Sequence, residues 1–248
     1  MKVYAFIPAR YASTRFPGKP LAFIAGRPMI QHVYEQAKIC PEFSQVFVTT
    51  DDERVLECVK EFGGNVIKTE LEHNSGTDRI CEAAQKTGLA SDDIIINIQG
   101  DQPVFDPAII PLMIKPLVDD INISMTTVKW LIKDIDSPNN SNHVKVVTDH
   151  NDFALYFSRY PIPFYRDHQP KPVFYKHLGF YGYRMEFLNK FTALSEGALE
   201  AAERLEQLRA LEYGFKIKVI ESLFDSLEVD IFEDIKKVEH YIKERGKS

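Results

Sequence analysis

Three basic side chains follow the first apolar run of the chain. Residues 3–7 predict a buried strand, and the loop after it carries Arg10, Arg15 and Lys19 among small residues. In an open α/β sheet, ligands bind where loops leave the carboxyl ends of the strands. Cations at such a place suit a polyphosphate, and small residues let backbone N–H groups approach it. The alternative is a solvated basic surface loop.

A carboxylate follows the most apolar run in a similar way. Residues 93–98 are apolar and rich in isoleucine, which is typical of a central strand buried on both faces. Asp101 comes directly after this run and is predicted at the same sheet edge as the basic loop. Mg²⁺ binds through one or two carboxylates together with phosphate oxygens, so Asp101 is the leading candidate ligand. Alone, it could equally be a turn residue beside Gly100 and Pro103.

Composition excludes several other classes of protein. The net charge is −6, from 30 basic and 36 acidic residues, which argues against a general nucleic-acid binder. The three cysteines Cys40, Cys58 and Cys81 form no CxxC pair, so they are predicted to be reduced thiols on helices. Neither a leader nor a membrane-length apolar run is recognisable. We therefore expect a cytoplasmic protein that binds neither nucleic acid nor a membrane.

Strand and helix patterns alternate through the first half of the chain. This alternation predicts a parallel sheet with crossover helices. The predicted strands are residues 3–7, 45–50, 66–69 and 93–98, and the predicted helices are residues 29–39, 53–62 and 76–86.

The second half contains more strands and fewer helices. Its predicted strands are residues 124–129, 144–148, 154–158, 177–183 and 216–221, and its predicted helices are residues 199–213 and 233–245. Four prolines make residues 160–173 a predicted mobile excursion. We expect one domain over residues 1–248, with a mixed sheet and an inserted lobe.

The first loop also resembles a known family. Residues 7–21 have the form IPARxxSxRxPxKPL, which is similar to the sugar-acid cytidylyltransferases, above all the 3-deoxy-manno-octulosonate (Kdo) cytidylyltransferase family. Further strings resemble that family in order along nearly the whole chain: HxSGTxR, NxQGDxP, YFSRxxIP, HLGxYxYR and LEQLR. The resemblance implies an α/β fold like that of nucleotide-diphospho-sugar transferases. This is a Rossmann-type mixed, mostly parallel sheet flanked by helices, with an inserted substrate and dimerisation lobe.

The resemblance also implies roles for individual residues. Asp101 and Asp230 would hold Mg²⁺, and with Arg10, Arg15 and Lys19 they would form the catalytic set. The implied nucleotide-binding residues are Pro8, Ala9, Arg10, Arg15, Lys19, Ser75, Gly76, Thr77, Arg79 and Gln99. Without the resemblance, Ser75 or Thr77 would be read as a plain helix N-cap with Asp78 in the first turn, and Asp230 as a cap of the last helix.

The sugar acid must be held by its carboxylate and hydroxyl groups. Arg159 suits the carboxylate because a guanidinium pairs with it through two parallel hydrogen bonds. His177 and Tyr183 occupy odd positions of one predicted strand and so share a face. The full set implied by the resemblance is Gln99, Arg159, His177, Tyr183, Glu206 and Gln207.

Two positions depart from the family pattern. Gln102 stands where many Kdo enzymes have glutamate, which removes a local charge. Ile231 and Phe232 replace a Thr-Pro pair, which we expect to remove a helix cap and a first-turn proline beside Asp230.

The sequence therefore predicts a Mg²⁺-dependent cytidylyltransferase, acting as a homodimer. It would couple CTP to a 3-deoxy-2-ulosonic acid, with release of pyrophosphate, for lipopolysaccharide biosynthesis. The strings GDQP, NHVK and LEQLRALEYG also resemble the branch that activates 8-amino-8-deoxy-Kdo. A sialic-acid-type enzyme fits less well, and a non-catalytic nucleotide-binding regulatory module is the alternative from another class.

Overall fold

The computed structural model describes residues 1–12, 16–73, 75–134, 137–166 and 172–245. Its strands are β1 (Val3–Pro8), β2 (Phe23–Ile24), β3 (Arg27–Pro28), β4 (Gln45–Thr50), β5 (Val66–Lys68), β6 (Ile94–Asn97), β7 (Met125–Leu131), β8 (Lys145–Thr148), β9 (Ala154–Ser158), β10 (Tyr175–Arg184) and β11 (Lys218–Ser222). Its α-helices are α1 (Met29–Lys38), α2 (Glu53–Glu61), α3 (Gly76–Lys86), α4 (Ile109–Asp119), α5 (Met185–Thr192), α6 (Ala198–Glu203), α7 (Gln207–Glu212) and α8 (Asp234–Arg245).

The chain divides into two compact units. The first unit comprises Met1–Ile110 and Ser226–Ser248, and the second comprises Pro111–Asp225. The second unit is thus inserted within the sequence of the first, in line with the predicted inserted lobe. That the whole chain acts as one domain stays a prediction.

The first unit is built on four parallel strands in the order β6-β1-β4-β5. All four residues of β6 are buried, as expected for a strand covered on both faces. Side chains cap the helices that follow two of these strands: Asp52 accepts a hydrogen bond from Arg54 N–H at the start of α2, and Ser75 accepts one from Asp78 N–H at the start of α3. The predicted alternation of strands and helices is confirmed.

The ends of β1 and β6 approach each other closely. Ile98 N–H donates to the Phe6 carbonyl oxygen at 3.0 Å, which extends the parallel pairing to the loop that follows β6. A Cβ atom on Gly100 would lie 2.6 Å from the Pro8 carbonyl oxygen, well inside van der Waals contact. Only glycine therefore allows the loop carrying Asp101 to lie this close to the end of β1.

The second unit contains a mixed sheet. Strand β10 pairs antiparallel with β7 and β8, β8 pairs antiparallel with β9, and β11 runs parallel to β7. The register of β10 shifts between His177 and Tyr181, where Gly179 has a φ of 74°. A glycine is suited to such a bulge because a left-handed φ is costly for other residues.

One predicted helix is wrong because it is divided in two, and two further helices were not predicted. Residues 199–213 form two short helices, α6 and α7, because Arg204 takes a left-handed φ of 53° and ends α6. A left-handed arginine leaves no glycine signal in the sequence. Helices α4 and α5 were not predicted, and Cys40 follows α1 instead of lying on a helix. Cys40, Cys58 and Cys81 form no disulfide bond with one another.

Among the described residues, no helix has both the length and the apolar character needed to cross a membrane.

Replacing Gly100 by alanine tests the close approach of the two strand ends. Because the new methyl group would overlap a backbone carbonyl, we expect Gly100→Ala to lower the free energy of unfolding by about 1–3 kcal/mol, measured by urea denaturation. Gly76→Ala is the matched control, since its Cβ would lie 3.3 Å from a side-chain carbon of Pro8 and the strain is smaller. Equal stability of the two variants would show that the loop at Gly100 does not need to lie this close to the Pro8 carbonyl oxygen.

Candidate active site

The first unit brings together a lysine and two carboxylates from distant parts of its sequence. Lys19 Nζ lies 2.6 Å from Asp101 Oδ2 and 4.0 Å from Asp230 Oδ1. It also donates a hydrogen bond of 2.9 Å to the Val229 carbonyl oxygen. The Lys19 side chain is only 13% exposed, so this cation lies in a partly desolvated place where charge interactions are stronger than in water.

Backbone pairing places the two carboxylates side by side. Leu227 N–H donates to the Val104 carbonyl oxygen, and Val229 N–H donates to the Asp101 carbonyl oxygen, each at 2.9 Å. These bonds run the segment before α8 antiparallel to the segment after β6. Asp230 is therefore held next to Asp101 by main-chain geometry and not by side-chain attraction alone.

The turn before α8 is closed by a carboxylate. Asp234 Oδ2 accepts hydrogen bonds of 3.1 Å from the N–H groups of both Asp230 and Ile231. Burial raises the pKa of Asp234, but hydrogen bonds from Lys237 and from these two N–H groups outweigh it and leave the pKa below its usual value. The loss of a cap expected from the Ile231-Phe232 pair is thus offset, because Asp234 organises the turn.

A cleft of about 380 Å³ opens beside this lysine and its carboxylates. It is lined by Pro8, Ala9, Arg10, Ala12, Lys19, Pro20, Met29, Gly76, Gln99, Gly100 and Asp101. Six of the predicted nucleotide-binding residues are among them, namely Pro8, Ala9, Arg10, Lys19, Gly76 and Gln99. The predicted Arg15 lies outside the described residues.

Arg10 is tethered at one edge of the cleft. Its Nη2 donates to the His73 carbonyl oxygen at 3.0 Å, and the His73 ring lies 2.5 Å from Glu82 Oε2. Partial burial raises the pKa of Glu82, but hydrogen bonds from Lys86, Glu70 N–H and His73 dominate and lower it to about 2. Glu82 is thus ionised at neutral pH and fixes the segment on which Arg10 rests.

Comparison with known proteins identifies the family of the chain. A family model described as Cytidylyltransferase matches residues 4–220. The chain belongs to the cytidylyltransferase family. It is 48% identical over 246 residues to 3-deoxy-manno-octulosonate cytidylyltransferase of Syntrophus aciditrophicus, covering 99% of each chain. It is 52% identical over 240 residues to 8-amino-3,8-dideoxy-manno-octulosonate cytidylyltransferase of Shewanella baltica, covering 96% of this chain and 98% of that one.

A solved structure resembles the whole chain. It is that of CMP:2-keto-3-deoxy-manno-octonic acid synthetase complexed with CTP, with a TM-score of 0.92 and 39% identity, and the match covers 99% of this chain and 100% of the other. The predicted fold class, a mixed and mostly parallel sheet flanked by helices, is confirmed as that of a nucleotidyltransferase.

The start of helix α3 in this cytidylyltransferase carries three predicted nucleotide ligands, Ser75, Thr77 and Arg79. Each of them also contacts other groups of the protein. Ser75 and Asp78 form a reciprocal capping box, with both hydrogen bonds at 3.0 Å. Thr77 and Arg79 are buried, and Arg79 Nη2 lies 2.7 Å from Asp51 Oδ1. Of this motif, Gly76 lines the cleft, and the nucleotide-binding roles of the other three stay predictions.

Arg159, the predicted sugar-carboxylate ligand, lies in the second unit and contacts backbone carbonyl groups. Its Nε donates to Glu203 O at 2.7 Å, and its Nη1 donates to Ser141 O at 3.1 Å. The Glu203 carboxylate accepts in return from Arg159 N–H at 2.9 Å and from the Ser158 hydroxyl at 2.7 Å. Arg159 therefore also joins three chain segments, a role that the sequence did not indicate.

The other predicted sugar-acid ligands of the second unit lie along β10 and α7. The rings of His177, Tyr181 and Tyr183 follow one another along β10, with centroid separations of 5.4 and 5.9 Å. Tyr183 is buried, and the Tyr181 hydroxyl donates to Gln207 Oε1 at 3.0 Å. Glu206 stands at the N-terminus of α7. Tyr181, which the sequence analysis did not single out, links the predicted residues on the two elements.

His177 is a neutral core imidazole. It is 8% exposed, and burial together with the Lys176 charge lowers its pKa from 6.5 to about 3. The Thr127 hydroxyl donates to the Phe180 carbonyl oxygen, so it accepts at 2.8 Å from His177 Nε2. The proton of the neutral ring is therefore on Nε2.

This burial predicts a pH dependence of stability. Between pH 6.5 and about 3 the unfolded chain binds a proton at His177 that the folded chain does not, so stability falls as the pH is lowered. From pH 7 to pH 5 the loss of stability from this residue should be on the order of 2 kcal/mol.

Denaturant titrations of His177→Gln at pH 7 and pH 5 should show a correspondingly smaller loss of stability. His240→Gln, at a side chain 76% exposed, should keep the wild-type slope; identical slopes in all three proteins would refute the assignment.

Proposed function

We propose that the chain is a Mg²⁺-dependent cytidylyltransferase that transfers CMP from CTP to Kdo, giving CMP-Kdo and pyrophosphate for lipopolysaccharide biosynthesis. The observation that carries this proposal is the contact of Lys19 with Asp101 and Asp230 beside the cleft. The names of the relatives, and the CTP complex of the similar solved structure, support the choice of nucleotide and sugar acid.

The reaction needs alignment and charge neutralisation more than covalent chemistry. The 2-hydroxyl oxygen of the sugar acid forms a bond to the α-phosphorus of CTP and releases its proton to water. The bond from the α-phosphorus to the bridging oxygen breaks, and pyrophosphate leaves with the electron pair. Arg10 and Lys19 line the cleft and would bind the phosphates, as would Arg15. Fixed cations stabilise charge as it develops on the phosphates, which is often the largest contribution to catalysis. No protein general base is assigned.

The donor groups around Lys19 fit Mg²⁺. Two carboxylates and the Val229 carbonyl oxygen converge on the lysine cation, so hard oxygen donors already surround a positive charge. Among the residues that the structure describes, no group of three or more His, Cys, Asp or Glu side chains gathers as a metal cage. The Asp101 and Asp230 carboxylates match the number that Mg²⁺ uses, since this ion binds one or two carboxylates and takes its other ligands from phosphate and water. Bound by Asp101 and Asp230, it would supply charge neutralisation and polarise the α-phosphate.

An 8-amino sugar acid is the second candidate substrate. The Shewanella baltica protein with that name matches at 52% identity, close to the 48% of the Syntrophus protein named for Kdo. Identity alone does not separate the two substrates.

We also propose that the enzyme acts in the cytoplasm as a homodimer. The second unit exposes large apolar side chains, among them Leu155 on β9 and Phe164, which follows β9 in the sequence. Exposed apolar groups of this kind are suited to contact with another copy of the chain.

A pyrophosphate-release assay tests the function. The purified protein should release pyrophosphate with CTP and Kdo in the presence of Mg²⁺, and much more slowly with UTP, because a pocket that pairs with the cytosine edge leaves polar groups unpaired with uracil. Running Kdo and 8-amino-8-deoxy-Kdo in parallel decides the sugar. If pyrophosphate is released with neither sugar acid, a non-catalytic nucleotide-binding regulatory module becomes the better interpretation.

Asp101→Asn separates the proposed metal role from a structural one. It keeps the side-chain shape but removes a charge at the reacting phosphates, so we expect kcat to fall on the order of 10²-fold, with the fold retained. Asp119→Asn makes the same change at an exposed pair with Lys115 and should leave turnover unchanged. Near-normal turnover of Asp101→Asn at saturating Mg²⁺ would contradict the proposed ligand.

A further inference from the structure

Two turns of the first unit that carry active-site groups meet through an aromatic pair. Phe16 precedes Lys19 in one turn, and Phe232 follows Asp230 in the other. The two rings lie edge to face, with centroids 5.8 Å apart and planes at 69°. Such a pair contributes about 0.5–1.5 kcal/mol beyond the area it buries.

The main chain of each phenylalanine is hydrogen-bonded within the turn that carries Lys19 or Asp230. The Phe16 carbonyl oxygen accepts a hydrogen bond from Lys19 N–H at 3.2 Å. The Phe232 carbonyl oxygen accepts from Ile235 N–H, also at 3.2 Å, within the turn whose Asp234 carboxylate holds Asp230 N–H. A shift of either ring would therefore move the turn that presents Lys19 or Asp230.

The two rings differ in how firmly they are packed. Phe16 is partly buried and packs against the buried cluster that includes Val229 and Ile235. Phe232 is 63% exposed, so burial of its own side chain contributes little to the stability of the fold. Its ring instead borders a groove of about 550 Å³ together with Phe16, Pro17 and Phe23. A large exposed ring that contacts the loop of the phosphate-binding lysine is suited to positioning that loop.

We propose that Phe232 is a positioning residue for nucleotidyl transfer, which through Phe16 fixes Lys19 relative to Asp230. This inference rests on the proposed function, because it concerns how the same centre binds CTP. Phe232 itself contacts no reacting atom. It acts by limiting the positions of the turn that carries Phe16 and Lys19, and it stands where the sequence departs from the Thr-Pro of the family pattern.

The test compares variants at Phe232 with a neighbour on the same groove. Phe232→Ala should raise the KM for CTP about three- to tenfold, the equivalent of losing one aromatic pair, while the KM for the sugar acid stays at the wild-type value. Phe232→Tyr keeps the ring and should restore the KM for CTP. Phe23→Ala removes another exposed ring (66% exposed) that lines the groove and should leave both KM values unchanged.

Calorimetric binding of CTP without sugar acid gives a second readout that does not require turnover. Phe232→Ala should weaken CTP binding by the same factor, with a thermal midpoint close to that of the wild type. Equal CTP affinity in wild type and Phe232→Ala would overturn the inference, as would failure of Phe232→Tyr to restore it. If the wild type binds CTP but releases no pyrophosphate with any sugar acid, the proposed function fails, and the binding comparison still decides the role of Phe232.

Discussion

The contact of Lys19 with Asp101 and Asp230 is the interaction around which the candidate active site is built. Two carboxylates held close together repel each other, and in a partly buried place that repulsion is costly unless a cation lies between them. Lys19 supplies that cation at 2.6 and 4.0 Å. The glycine at position 100, the antiparallel pairing before α8 and the Asp234 turn all bring these three groups together. The same arrangement that neutralises the carboxylates also makes them a pair of oxygen donors beside the cleft of about 380 Å³.

Two cations of the second unit fix loops through carbonyl oxygens. The buried Lys145 ammonium donates to the carbonyl oxygens of Asn140, His143 and Arg159, at 3.1, 2.6 and 2.5 Å. Arg159 in turn donates to the carbonyl oxygens of Ser141 and Glu203. Burial lowers the pKa of Lys145, and the nearby Glu203 charge opposes that shift. Loops held in this way are ordered before a ligand arrives, which reduces the entropy cost of binding.

The sequence predicted the parts of the molecule that local patterns determine. The apolar run of β6, the strand β4 and the helix α3 were predicted correctly because burial and capping signals lie within a few residues of each other. The break at Arg204 could not be foreseen, since a left-handed arginine is held by its surroundings and not by its own preference. The role of Asp234 could not be predicted from the Ile231-Phe232 pair, which indicates only that the usual cap is lost. The carboxylate that replaces this cap lies a few residues later in the chain. The deep burial of His177 could not be predicted, because it depends on Thr127 of β7 and Phe157 of β9, which strand pairing brings to it from distant parts of the sequence.

The central proposal is that Asp101 and Asp230, which lie beside Lys19, form the metal site at which CTP reacts. The most direct measurement is anomalous diffraction from crystals grown with CTP and Mn²⁺ in place of Mg²⁺. The account predicts an anomalous peak at bonding distance from both the Asp101 and the Asp230 carboxylates, with the triphosphate in contact with Lys19 and Arg10. A peak bound by other side chains, or CTP seated in the cleft with no metal at either carboxylate, would contradict it.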